Sequence, residues 1–330
     1  MLQTVLDFSI FEDFVNLQPK QIPLGSEEEN YYWLSFWNYL KNGTDLSIIN
    51  FKETQNIFLT SLTTGRKGTK IKLSENFKKP YKNILPRETN IQSVFFIDEE
   101  DENEQQKYRN KNSLFFAFKN DYKIKWKELS LFKKSKILSV EKAEKLQFHS
   151  WSVLNEYLLP FSDLIIFDNF IFSGNKKKLQ ANLFKIIKEF SKVASVKFNL
   201  LIVSYIGYDF ILNVEKIYDT LKEFLREEKI ECNPGIVLTT NAIKRHDRAI
   251  YSNYLRINSG DSFNYFKSDG TFATKGTEIT FFPLCENEKY ITTENSLKKI
   301  SEIIDNLAKR EDADKYLIGN IKNKLLKFNT

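Results

Sequence analysis

Cysteine, histidine and methionine are nearly missing from this 330-residue chain, at two, two and one. That scarcity excludes histidine- or methionine-rich metal sites. Cys232 and Cys285 match no metal-ligand spacing and no disulfide framework. Unpaired thiols suit a reducing compartment, so a cytoplasmic location is expected. No run approaches the ~18 apolar residues of a membrane span. The first residues carry Asp7, Glu12 and Asp13 where a secretory signal has a basic start and an apolar core. No internal repeat occurs. The segment Thr64–Lys70 lacks the Gly-x4-Gly-Lys-Ser/Thr spacing with which backbone amides ring a phosphate, and it reads as a basic hairpin turn.

Aromatic and charged residues are plentiful. Hydrophobic residues make up 42% of the chain and aromatics 15%, enough for packed cores and too many for wholesale disorder. The length suits two domains of ordinary size or one large one. A net charge of +6 is compatible with an anionic partner, but 49 basic against 43 acidic residues is no histone-like excess. The abundance of Lys, Asn and Ile is that of AT-rich, bacterial-type codon usage.

The pattern along the chain changes near residue 150. Before it, a helix is expected over Asn30–Leu40, and strand-like runs occur at Ile57–Leu62, Lys70–Leu73, Val94–Ile97 and Leu114–Phe118. The polar stretch Asp98–Asn112 reads as a long hairpin loop or exposed insertion. After it, strands and helices alternate. Strands are expected at Leu164–Phe167, Phe198–Tyr205, Ile236–Thr239, Ala249–Tyr251, Tyr254–Ile257 and Ile279–Leu284. Helices are expected at Lys178–Ala194, Val214–Arg226 and Leu297–Leu307, the last with Thr293 as N-cap. This order predicts an α/β fold, a mixed sheet flanked by helices over 151–330, and an additional N-terminal α/β or α+β domain over 1–150.

One stretch carries most of the chemical information. His246 is followed, at fixed intervals, by Arg248, Asn253, Gly260, Asp261 and Asn264, with Lys244 and Arg245 just before it. A neutral imidazole is a competent nucleophile near neutral pH, and cationic and amide groups neutralise phosphoryl oxygens. The spacing resembles a motif of the phospholipase D superfamily: His-x-Lys, four residues, Asp, six residues, Gly-Ser, two residues, Asn. Every interval is kept, while Arg248, Asn253 and Asp261 replace Lys, Asp and Ser. Arg248 can clamp phosphate in a bidentate pose. Asn253 carries no charge to stabilise an imidazolium, and Asp261 puts an anion where phosphate would sit.

A longer series of segments resembles one branch of that superfamily, the C-terminal phospholipase D-like domain of MIT-domain proteins. The segments are Ile166–Phe172, Asn182-Leu183, His246-Asp247-Arg248 and Ser259–Phe266, and together they span about residues 160–285. The resemblance implies a non-catalytic, dimeric binder of anionic surfaces. We therefore expect a phospholipase D-like pseudoenzyme that binds nucleic acid, in keeping with prokaryotic antiviral defence or mobile-element biology. Arg248, Asn264, Lys244 and Arg245 would contact phosphate, and Asp163 or Asp168 would pair with Arg248 as orienting carboxylates. No metal or cofactor is expected, because the strand Phe198–Tyr205 lacks the Glu-x-Lys companion of a metal-dependent nuclease. Two alternatives stay open. One is an active homodimeric phosphodiesterase or nuclease with His246 as nucleophile. The other is a scaffold subunit whose residues 1–150 contact a protein partner.

Overall fold

The computed structural model describes residues 1–19, 27–52, 57–66, 68–75, 90–111, 113–141, 147–205, 214–240, 248–273 and 276–326. The chain divides into two compact units, Met1–Lys134 with Pro283–Thr292, and Ser135–Phe282 with Thr293–Thr330.

In the first unit, β1 (Leu2–Asp7), β2 (Thr44–Ile49), β3 (Ile71–Leu73), β4 (Ser93–Ile97) and β5 (Phe115–Phe118) form a parallel sheet in the order β3-β2-β1-β4-β5. β4 and β5 are buried along their whole length, as expected of parallel strands covered on both faces. On one face Phe36 of α2 (Glu27–Asn38) meets Phe96, with ring centroids 5.1 Å apart, and Phe14 of α1 (Phe8–Asn16) and Trp126 of α5 (Tyr122–Leu129), each at 4.9 Å. On the other, Phe95 stacks on Phe116 at 4.8 Å, and Phe116 stacks on Tyr108 of the helix Glu102–Lys111 at 5.6 Å.

Three expectations for this unit are overturned. Ile57–Thr63 is a helix, α3; a seven-residue apolar run fits either period until tertiary packing decides. The Asp98–Asn112 stretch is not a hairpin loop, because β4 and β5 are parallel and are joined by α4 (Glu102–Lys111). That helix buries only Gln105 and Tyr108, so its sequence carries almost no apolar period. For the same reason Thr64–Lys70 does not close a hairpin: it leads from α3 into β3, which pairs in parallel with β2.

In the second unit the sheet order is β13-β9-β8-β7-β10-β11-β12-β6. β7 (Asp163–Phe167), β8 (Phe198–Tyr205) and β9 (Cys232–Thr239) are parallel. β10 (Arg248–Tyr251) lies antiparallel beside β7 and forms a hairpin with β11 (Leu255–Ser259). β12 (Thr277–Pro283) pairs antiparallel with β6 (Ile137–Val140), and β13 (Leu317–Gly319) pairs antiparallel with β9. The β6–β12 pairing places Ile137–Val140 in the second unit, ahead of the composition change at 150. Between β7 and β8 run α6 (Lys176–Ala181) and α7 (Leu183–Ser191), and α8 (Val214–Glu227) links β8 to β9. Phe184 of α7 stacks on Phe224 of α8 with centroids 4.3 Å apart. The helix α9 spans Asn287–Ala308, so Thr293 lies inside it and is not its N-cap. Both units are therefore α/β, one with a parallel and one with a mixed sheet.

Candidate functional site

The C-terminal end of β7 collects the sequence segments singled out above. Asp168 follows the last residue of this fully buried strand, and its own side chain is buried. Its Oδ1 accepts from the Phe170 amide at 2.9 Å, and its Oδ2 accepts from the Ser262 hydroxyl at 2.7 Å and the Phe263 amide at 2.8 Å. Burial pushes its carboxyl above the ordinary carboxylate range, an effect opposed by these hydrogen bonds and by the positive charge of Arg248.

The rest of the 259–266 segment is held in the same way. Asn264 Nδ2 donates to the Phe170 carbonyl at 2.6 Å and to the Ser173 hydroxyl at 3.3 Å, while its Oδ1 is buried without a hydrogen-bond partner. Asn182, at the break between α6 and α7, is fully buried. It pairs with the Phe266 backbone, accepting from the amide at 2.9 Å and donating to the carbonyl at 2.7 Å. Tyr265 stacks on Trp151 with centroids 5.0 Å apart, and its hydroxyl meets Ser259 Oγ at 2.6 Å.

Arg248 opens β10 at the same end of the sheet, because the antiparallel register sets Ala249 opposite Phe167. Its Nη1 donates to the Gly260 carbonyl at 3.1 Å, and its guanidinium lies 5.7 Å from the centroid of the Phe170 ring. Asp261 is exposed and accepts from the Ser262 amide at 2.8 Å.

Arg248, Asp168, Asp261 and Asn264 thus come together. Asp163 does not join them, since β7 separates it from Asp168 by about 16 Å of strand. Its buried carboxylate instead accepts from Ser162 Oγ at 2.7 Å, Asn199 Nδ2 at 2.9 Å and the Lys324 amide at 2.8 Å. Asn253 sits at that far end too, accepting from the amides of Ser162 at 3.2 Å and Asp163 at 3.3 Å. The residue at the motif's aspartate position is therefore a strand-end clamp. Lys244, Arg245 and His246 lie outside the described residues; Thr239 and Arg248, at the β9 and β10 ends that flank them, are at the Asp168 end of the sheet.

The first unit holds a polar cluster that the sequence reading did not single out. Asp7 ends β1, and Asn50, Asp98 and Lys119 follow the C-terminal ends of β2, β4 and β5. Asp7 accepts from Asn50 Nδ2 at 2.6 Å, and Ser9 Oγ donates to Asp98 at 2.6 Å and lies 3.1 Å from Asp7. Lys119 pairs with Asp98 at 3.2 Å. The sheet order reverses between β1 and β4, where open α/β sheets take up ligands; here the groups bond one another. Only chain order in the sheet identifies such a cluster, and the sequence does not reveal that order. Among the described residues, no group of three or more His, Cys, Asp or Glu could hold a metal ion, and no helix is long and apolar enough to cross a membrane. No protein-family model matches the chain, and no curated protein matches it in sequence.

Proposed function

We propose that the second unit is a phospholipase D-like domain that binds a phosphate-bearing partner, nucleic acid foremost, without turning it over. One observation carries this reading. The segments of the resemblance, Ile166–Phe172, Asn182 and Ser259–Phe266, are joined by direct hydrogen bonds of Asp168, Asn182 and Asn264 at one end of β7, where Arg248 also sits.

Binding is favoured by the cations of this end, Arg248 and the Lys176–Lys178 run that opens α6. Turnover is disfavoured because Asn253 serves the far end of β7, and Asp168 is engaged by three donors. Asp261 adds repulsion: two unit charges about 4 Å apart cost about 4 kcal/mol at an effective dielectric of 20. The test is retention and integrity of labelled DNA and RNA in EDTA, with wild type, Arg248→Ala, Lys244→Glu/Arg245→Glu and His246→Ala. Intact, retained strands, with weaker retention by the Arg248 and Lys244/Arg245 variants, are expected. EDTA-resistant cleavage abolished by His246→Ala would overturn the non-catalytic reading.

A further inference from the structure

We propose that this domain takes single-stranded rather than duplex nucleic acid, stacking a base on Phe170 and leading the backbone into the groove between α6 and α8; the proposal rests on the binding function above. Phe170 is 44% exposed, whereas its neighbours Ile171 and Phe172 are buried at 0% and 1%. The turn therefore holds one phenyl ring out in water at the mouth of the Arg248 cluster. The Arg248 guanidinium beside that ring adds the cation that base-stacking platforms commonly carry.

From this turn the chain leads directly to Lys176, which is at most about 20 Å from Phe170 for six intervening steps. Lys176 lines a groove of about 670 Å3 together with Lys216, Lys222, Arg226 and two carboxylates of α8. Both carboxylates are engaged, Glu223 with Lys176 at 3.2 Å and Asp219 with Lys222 at 2.9 Å. Lys216 and Arg226 form no ion pair among the described residues, and ten residues of helix set them about 15 Å apart. A cationic track leading away from an exposed ring is what an unpaired strand needs. A duplex covers both faces of its internal bases and offers none of them to Phe170.

The experiment uses the full chain, a 5′-labelled mixed-sequence 20-nucleotide strand, the same strand in duplex, and a glutamate-rich peptide of similar charge. Binding is followed by fluorescence anisotropy at low and physiological salt. Wild type should favour the single strand by about ten-fold. Phe170→Ala should remove that preference by weakening strand binding about ten-fold, and Phe170→Trp should keep it. Lys216→Glu/Arg226→Glu should weaken strand binding and flatten its salt dependence by about 1.4 in the log–log slope for two phosphate contacts. Equal affinity for strand and duplex, unaffected by Phe170→Ala, would overturn the proposal. If that binding still fell with salt and with Arg248→Ala, the phosphate-binding reading would stand. Preference for the glutamate-rich peptide would also overturn it, and absence of all nucleic-acid binding at low salt would remove both.

Discussion

At the scale of single residues, buried polar side chains fix the candidate site. Asp168→Ala leaves two amides and a hydroxyl without their acceptor and is expected to cost about 3 kcal/mol in chemical denaturation. The pH dependence has a definite sign. Burial raises the Asp168 carboxyl, so the folded chain holds that proton more tightly than the unfolded chain. Its contribution is fully present below the unfolded value, about 4, and is lost as pH rises through the raised folded value. The stability gap between wild type and Asp168→Ala should therefore narrow with rising pH; a gap that widens contradicts the assignment. Asn253→Asp installs the aspartate of the phospholipase D motif that this segment resembles, yet it places a second carboxylate beside buried Asp163. It should destabilise the chain by about 2 kcal/mol or more and create no phosphodiesterase activity. A gain of activity in that variant would show that Asn253 faces the reacting site.

At the scale of elements, the second unit ends on a strand that two glycines admit. A Cβ on Gly235 of β9 would come within 2.0 Å of the Asn320 carbonyl oxygen. One on Gly319 of β13, where φ is +74°, would meet the Tyr218 hydroxyl at 2.3 Å. Gly319→Ala should detach β13, seen as faster amide exchange at Leu317–Gly319 and along β9, while protection of β7 is unchanged. Unaltered exchange in β9 would contradict this pairing. The central strands were legible in the sequence because strands buried on both faces read as continuous apolar runs, as in Leu164–Phe167 and Phe198–Tyr205. The helix expected over Lys178–Ala194 was not legible as two pieces. Asn182 interrupts it to bond Phe266, 84 residues away, and no local periodicity encodes such a partner. α4 escaped notice for the opposite reason, because its exposed surface leaves only Gln105 and Tyr108 buried. Of the candidate site, the segments were legible by spacing, and the structure joins them by hydrogen bonds at the end of β7. The opposite placement of Asp163 and Asn253 depends on strand direction, which spacing alone does not give.

At the scale of the whole molecule, the net charge of +6 is modest, so the proposed binding rests on local placement of cations and not on a general basic field. Arg248, the Lys176–Lys178 run and the α8 groove supply that placement in the second unit. Several phosphate contacts then share the work, and affinity should fall steeply with salt, because a higher salt concentration reduces the entropy gained on counterion release. The most direct measurement is a salt titration of nucleic-acid affinity by the full chain, with strand integrity followed in the same samples. The account predicts a log–log slope of about −2 or steeper, for three or more phosphates at about −0.7 each on a single strand, and intact strands throughout. A slope near zero, no binding at low salt, or cleavage of the strand would contradict it.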